Sequence, residues 1–484
     1  MSEETPTLKR TLGLFDTTML VSGSMIGSGI FIVSSDMSRH LGSPMWLLLC
    51  WIMTGVITIC AALSYGELAG MMPNAGGQYV YLKKAYNPLI AFMYGWTVFL
   101  VIQTGVIAAV AVAFAKYTGI FIPLFDEKEV LLEIGTFKLK NAQLLAIGLI
   151  ILLTYLNSRG IKNGKIIQRV FTSTKLIALF LVIIAGIYFG LKTDVWSHNF
   201  SEPWKAFQTT VKEDGSLNIV GLTGASLLGA LGVSMIGSLF SSDAWNNVTF
   251  IAGEIKEPHK NIPLGLFFGT CIVTFLYIMA NIAYMCLLPV QGTPDATTVM
   301  GQGIQFAQND RVGTAAISVL LGSTATYLMA ALIMISTFGC NNGLILAGSR
   351  LFQAMASDGL FFKKAAQLNA NQVPAYALII QGLWASILCL SGSYGDLLNY
   401  ATFASLVFYS VTIGALFILR KKEPDTPRPY KAFGYPIIPL LYILVASAIC
   451  VDLLIFETTS TGLGLLIVLL GIPVYYLARV NQKD

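Results

Sequence analysis

The sequence predicts an all-α membrane protein, and three observations carry that prediction. Of 484 residues, 55% are hydrophobic and only 11% are charged, against about 25% charged in a typical soluble domain. The apolar residues gather in blocks close to the ~20 that a helix needs to cross a hydrocarbon core of about 30 Å. Only helices and closed barrels satisfy every backbone polar group in lipid, and ten-residue strands of alternating polarity are absent.

Twelve spans are expected, at 12–41, 45–70, 88–116, 141–157, 166–190, 221–252, 262–289, 313–349, 374–391, 395–419, 435–456 and 461–479. The first, sixth and eighth exceed one crossing, so tilted, broken or extended helices are expected there. An even number of spans puts both termini on one side. With that side inside, twenty lysines and arginines fall in cytoplasmic segments and nine in outer ones, with Lys175 left inside a span. This bias places the termini in the cytoplasm. The net charge of +5 is the same sorting; no basic stripe suggests a nucleic-acid partner. Met1 to Arg10 is polar and the apolar run after it too long for a cleaved leader. The outer loops 117–140 and 191–220 carry balanced charge and are expected to form caps. The Pro-rich, charged stretch Lys421 to Pro436 is expected to connect the tenth and eleventh spans.

All seven cysteines lie inside apolar blocks, as small buried hydrophobes rather than a disulfide or metal framework. Three histidines lack ligand spacing. No metal, cofactor, nucleophile triad or phosphate loop is expected, which disfavours an enzyme.

Candidate chemistry begins in the first span, where Gly27-Ser28-Gly29 falls near the middle. Glycine costs a helix interior about 1 kcal/mol relative to alanine, and a bilayer tolerates a break only where the freed groups are buried or line a cavity. The N–H groups of Gly27, Ser28 and Gly29 would then face an anion such as a carboxylate. The Ile26 carbonyl would accept from an ammonium group. Close helix packing through small residues is the alternative.

The sixth span carries Phe240-Ser241-Ser242-Asp243-Ala244-Trp245-Asn246-Asn247, again at mid-span. Ser, Asp and Asn compete for backbone hydrogen bonds and favour breaks, and an acid at membrane depth points to a functional site. Asp243 either serves that site or anchors the broken backbone. Two interrupted helices, one opening each half, match transporters built from inverted repeats. The pentapeptide at Ser24 to Ser28 recurs at Ser234 to Ser238, but upstream of the second break, so the positions are not equivalent.

Lys175 lies at or within the fifth span. It snorkels to the inner surface, or acts inside as a fixed cation replacing a coupling ion or as a proton carrier. Glu67, at the inner end of the second span, suits a gate or a structural ion pair. In the eighth span Asn341 and Asn342 line a cavity or bond neighbouring helices.

Several of these stretches resemble the L-type amino-acid transporters, bacterial members of the amino acid–polyamine–organocation superfamily above all. They are Gly23 with Ile26 to Phe31, the Trp245-Asn246 run into Ala252-Gly253-Glu254-Ile255-Lys256 and Pro258 through Pro263, Gly343 through Phe352, and Arg428-Pro429-Tyr430-Lys431. The resemblance covers nearly the whole chain. It implies a LeuT-like fold of twelve transmembrane helices: a cytoplasmic segment 1–11, inverted repeats of five helices at 12–190 and 221–419, a cytoplasmic loop 420–434, and two further helices in 435–484. It implies sodium-independent exchange of L-amino acids, small or medium neutral ones, across a cytoplasmic membrane. Proton coupling and a cationic amino-acid or polyamine carrier stand as alternatives, a channel or transporter-like sensor as remote ones.

The resemblance also implies site residues. The substrate carboxylate would meet Gly27, Ser28 and Gly29. Its ammonium would meet carbonyls near Ile26 and along Phe240, Ser241 and Asp243. Phe240 matches the family's aromatic gate, Tyr284 and Cys340 match cavity positions, and Lys175 matches a lysine in the region of a sodium site. Two departures stand out. Asp243 replaces the Gly or Ser of many animal members, and Tyr117 to Lys140 holds no cysteine, so no disulfide-linked heavy chain is expected.

Overall fold

The computed structural model describes residues 10–126, 129–134, 137–390 and 394–480. Most of the expected N-terminal segment, residues 1–9, and the last four residues lie outside that range.

The first rod is two helices, α1 (Leu14–Met25) and α2 (Val33–Leu41), parted by Ile26 to Ser28 and a 3-10 turn at Gly29–Phe31. Helix α3 (Pro44–Met71) starts where the Ser43 side chain accepts from the Trp46 N–H and Pro44 fills the first turn. A short α4 (Gln78–Ala85) leads to α5 (Pro88–Thr97), which passes through a π turn at Val98–Ile102 into α6 (Gln103–Thr118). Then come α7 (Asn141–Ser158), α8 (Ile161–Gly190), α9 (Val195–Asn199) and α10 (Gly224–Ser241). The second half holds α11 (Pro258–Leu287), α12 (Val299–Gln302), α13 (Val312–Leu321), α14 (Thr324–Ser357), α15 (Ala375–Cys389), α16 (Tyr394–Lys422), α17 (Ile437–Phe456) and α18 (Thr458–Val480). Nine helices among the described residues are long and apolar enough to cross a membrane, and three shorter apolar ones accompany them.

All three overlong spans prove to be interrupted. Past Ser241 the sixth continues only as 3-10 turns at Trp245–Thr249 and Ala252–Glu254. The eighth divides at Gly322, whose left-handed backbone (φ +58°) suits a residue without Cβ and closes α13. Its second part runs to Ser357, beyond the expected end at 349. The caps expected at 117–140 and 191–220 each contain an antiparallel hairpin, β1 (Val130–Ile134) with β2 (Phe137–Lys140) and β3 (Phe207–Val211) with β4 (Leu217–Gly221). Helix α4 lies in a stretch expected to be a simple connection.

Helix α1 packs among α11, α8 and α14, α10 against α2, α3, α16 and α17, α17 also on α16 and α3, and α18 on α16 and α5. Coverage by protein varies among the spans, from 78% for the apolar part of α5 and α6 to 28% for those of α8 and α17. The remaining apolar surface of α17 meets hydrocarbon, the only solvent that suits it.

Candidate functional site

A helix that stops inside a membrane leaves its last four carbonyls without partners. In α1 these belong to Gly23, Ser24, Met25 and Ile26, and each accepts from a different part of the chain. The Lys175 ammonium of α8 donates to Gly23 at 2.6 Å and to Ile26 at 2.5 Å. The Cys340 thiol of α14 donates to Ser24 at 3.0 Å. The Tyr277 hydroxyl of α11 reaches Met25 at 3.2 Å. The Ser336 hydroxyl, one turn before Cys340, reaches Ile26 at 3.1 Å and Gly27 at 3.0 Å. Lys175 is 3% exposed and also reaches the Ser336 carbonyl at 3.4 Å, so it does not snorkel.

Two backbone donors on the other side of the break, those of Gly27 and Gly29, are open. Among the described residues no acceptor faces the N–H of Gly27 or Gly29, and those groups precede the 3-10 turn and α2. Two unpaired N–H groups near a buried ammonium make an anion cradle. A Cβ on Gly27 would find the Cys340 sulfur at 3.5 Å, ordinary contact. A Cβ on Gly29 would stand 2.1 Å from the Ser241 hydroxyl and 3.2 Å from its Cα. Gly29 is therefore one of the points where the two broken helices meet closely, as Gly237 of α10 is against Val33 of α2.

At the second break α10 ends on Ser241, Ala244 turns left-handed (φ 64°), and 3-10 turns follow. The Ser241 carbonyl accepts from Tyr277 at 3.0 Å, so one hydroxyl ties both breaks together. Phe240 is buried beside them. The Asp243 carboxylate turns to α16, accepting from the hydroxyls of Tyr409 and of Ser405, the latter at 3.4 Å.

The structure thus gathers Ile26, Gly27, Gly29, Ser241, Cys340 and Lys175 around one point. Both lone pairs of the Ile26 carbonyl are taken, by Lys175 and Ser336, so it is not open to a substrate ammonium as expected from the sequence. Tyr284 is buried too, but its hydroxyl lies against Gly313 near Phe31, away from Gly27. Sequence reasoning missed Tyr277, two helical turns before Tyr284 on the same face of α11, and Ser336. Asn341 and Asn342 are both buried; Asn342 donates to the Gly164 carbonyl at 3.0 Å and the Gln168 side chain at 3.2 Å, tying α14 to α8.

Both ends of this centre are fastened. On the face that carries Thr11, the Thr11 and Leu12 N–H groups donate to the Glu254 carbonyl. There Asp16 pairs with Lys165 at 2.8 Å and with Arg169, and buried Glu254 pairs with Arg350 at 2.8 Å. Glu67, fully buried, is held by Arg420 at 2.6 Å, Arg428 at 3.2 Å and the Ala432 N–H at 2.7 Å. On the opposite face Arg39 bridges Asp310 at 2.7 Å and the Gln305 carbonyl at 2.9 Å.

Two broken helices in contact at membrane depth, with fasteners on both faces, define a multi-pass membrane transporter of the LeuT-like type. Residues 12–473 match the amino acid permease family, and the chain belongs to it. It is 31% identical over 472 residues to the large neutral amino acids transporter small subunit 2 of Mus musculus, covering 97% of this chain and 81% of that protein. It is 28% identical over 482 residues to the b(0,+)-type amino acid transporter 1 of Mus musculus, covering 99% and 90%. The Asc-type amino acid transporter 1 of Mus musculus is 27% identical over 479 residues, covering 98% and 82%. The L-type resemblance of the sequence motifs agrees with this set.

Proposed function

We propose that this protein exchanges L-amino acids, small or medium neutral ones, across a cell membrane by alternating access and without sodium. The observation that carries the reading is the first break: carbonyls each met by a protein donor, N–H groups of Gly27 and Gly29 without an acceptor among the described residues, and Lys175 fixed beside them. A substrate carboxylate completes the unpaired donors, and Ser28 lies between them. With its ammonium on the Lys175 side chain, the protein supplies internally the cation a sodium ion would bring. The substrate ammonium falls to carbonyls of the second break near Phe240 and Ser241. The Phe240 ring closes over the site, and Cys340 borders it. Opening the fasteners of one face while the other holds gives alternating access.

Further parts of the proposal rest on sequence. The lysine and arginine bias makes the face with Thr11 cytoplasmic, in a bacterial inner membrane. The repeats comprise 12–190 and 221–419. Tyr117 to Lys140 offers no cysteine to a heavy chain, so the chain works without a disulfide-linked partner and, like its relatives, as a transporter rather than an enzyme.

Counterflow in proteoliposomes tests the reading. Internal neutral amino acid should accelerate uptake of labelled external amino acid, with sodium or potassium outside alike. Uptake indifferent to internal amino acid overturns exchange; a sodium requirement overturns the role of Lys175; no uptake of any amino acid overturns the substrate class.

A further inference from the structure

The Asp243 carboxylate has a peculiarity that amino-acid binding at Gly27 and Gly29 does not use. Among the described residues no lysine, arginine or histidine pairs with it. The titratable groups facing it are phenols: Tyr409 of α16, Tyr94 of α5 and Tyr442 of α17, with Tyr65 of α3 behind Tyr409 at a ring separation of 6.0 Å. From its own segment Trp245, Asn246 and Asn247 approach, and all are neutral. Lys175 is spent on the first break. An acid at membrane depth with no counter-cation needs some positive partner.

The surrounding space limits what that partner is. Two clefts meet at Asp243. One is walled by Ile57, Thr58, Leu239, Thr402 and Tyr442, the other by Gln78, Tyr94, Gln103 and Asn247. Each has room for about one water molecule, too little for a guanidinium or alkylammonium group. In the second cleft the Asn247 amide nitrogen, 3% exposed, has no protein partner among the described residues and offers a donor to water.

The Tyr409 hydroxyl has two acceptors within reach, Asp243 and the Asn246 amide oxygen at 3.2 Å. Asn246 in turn donates to Gln78 of α4 at 3.0 Å, and Gln78 to the Phe408 carbonyl at 3.1 Å. A single hydroxyl proton cannot serve both acceptors fully. An ionised Asp243 wins it by charge; a neutral one does not.

We propose that Asp243 is a proton-binding site, filled from water in the flanking clefts, that gates exchange by switching Tyr409 between Asp243 and Asn246. A hydronium O–H bond breaks and leaves water, while a carboxylate lone pair takes the proton and becomes a carboxylic acid. Tyr409 then turns to Asn246, so its bond from α16 to the second break passes from a charged acceptor to a neutral, weaker one, and exchange quickens as pH falls. The proposal rests on the exchange reading for its rate but not for its binding step.

Two measurements separate the parts. Counterflow of a neutral amino acid is measured from about pH 5 to 8 with equal pH on both sides, each variant normalised to its own fastest rate. The wild type should speed up toward acid by up to about tenfold per pH unit on the titrating limb. Asp243→Asn should be flat within about twofold, less than a third of a unit, and Tyr409→Phe should flatten the profile with Asp243 still present. Infrared spectra of the purified wild type should show a carboxylic-acid carbonyl band that titrates with pH, is missing in Asp243→Asn and is shifted in Tyr409→Phe. A titrating band without counterflow at any pH keeps the proton site and removes the exchange reading. A wild-type pH profile retained in Asp243→Asn, or a band unchanged by that substitution, overturns the proposal. Loss of cationic substrates alone in Asp243→Asn overturns it in favour of side-chain selection.

Discussion

One break follows α1 and the other follows α10, yet they are finished in opposite ways. At the first, protein donors converge on the carbonyls of Gly23 through Gly27 and leave N–H groups open. At the second, a side-chain anion dominates and is fastened to α16. The first is an electropositive cradle, the second an electronegative hinge, and Tyr277 joins them. Under the proposed function, the substrate carboxylate meets the first break and its ammonium the carbonyls of the second near Phe240 and Ser241, leaving the Asp243 carboxylate to α16.

Perturbing each side should break this contrast to different extents. Gly29→Leu should have the largest effect, since even a Cβ would stand 2.1 Å from Ser241. Displacing the breaks by about 1 Å is enough for a hundredfold loss of transport. The control is Gly27→Ala, where the neighbouring sulfur leaves 3.5 Å; thermal unfolding of that variant should match wild type while affinity falls. Equal unfolding losses in both would dissolve the contact between breaks.

Lys175→Ala comes next. It strips the Gly23 carbonyl of its donor, and each buried acceptor so orphaned costs about 1–3 kcal/mol. A lowered melting temperature together with counterflow reduced about tenfold or more is expected; wild-type counterflow would remove Lys175 from the site. Tyr277→Phe deletes the single hydroxyl shared by both breaks, about 1 kcal/mol per hydrogen bond or roughly fivefold in rate. Ser336→Ala should cost less, because it orphans the Gly27 carbonyl alone while Lys175 still serves Ile26, whereas Tyr277→Phe orphans both Met25 and Ser241; a larger effect than Tyr277→Phe would reverse their ranking. The smallest effect belongs to the surface. The Lys84 ammonium, 2.7 Å from Glu423, holds that carboxyl below its ordinary range. Its stabilising contact is therefore complete above the ordinary glutamate pKa and fades only as pH falls through the lowered one. Being solvent-exposed, it is screened by salt, so Glu423→Gln should leave counterflow and unfolding near wild type at neutral pH.

Both breaks were legible because their cause is local: Gly27-Ser28-Gly29 and Ser241 through Asn247 are poor helix formers in apolar surroundings. Their finish was not. Lys175 stood out as a charge inside a span, but the carbonyls it serves did not, and neither did Tyr277 or Ser336; the three stand about 150, 252 and 310 residues from those carbonyls, and no local pattern announces such pairings. Tyr284 drew attention by family position, whereas its neighbour Tyr277, one seven-residue step earlier, makes the bridge. The excess length of the eighth span admitted a break but not its place at Gly322, and the short α4 stayed hidden, because hydropathy averages over a window wider than either.

Glu254 and Arg350 pair beneath the residues that clasp Thr11 and Leu12, yet one oxygen of the acid and one nitrogen of the guanidinium find no partner among the described residues. Water reaching the pair would satisfy both atoms at once, so their burial gives up hydrogen bonds that contact with water would restore.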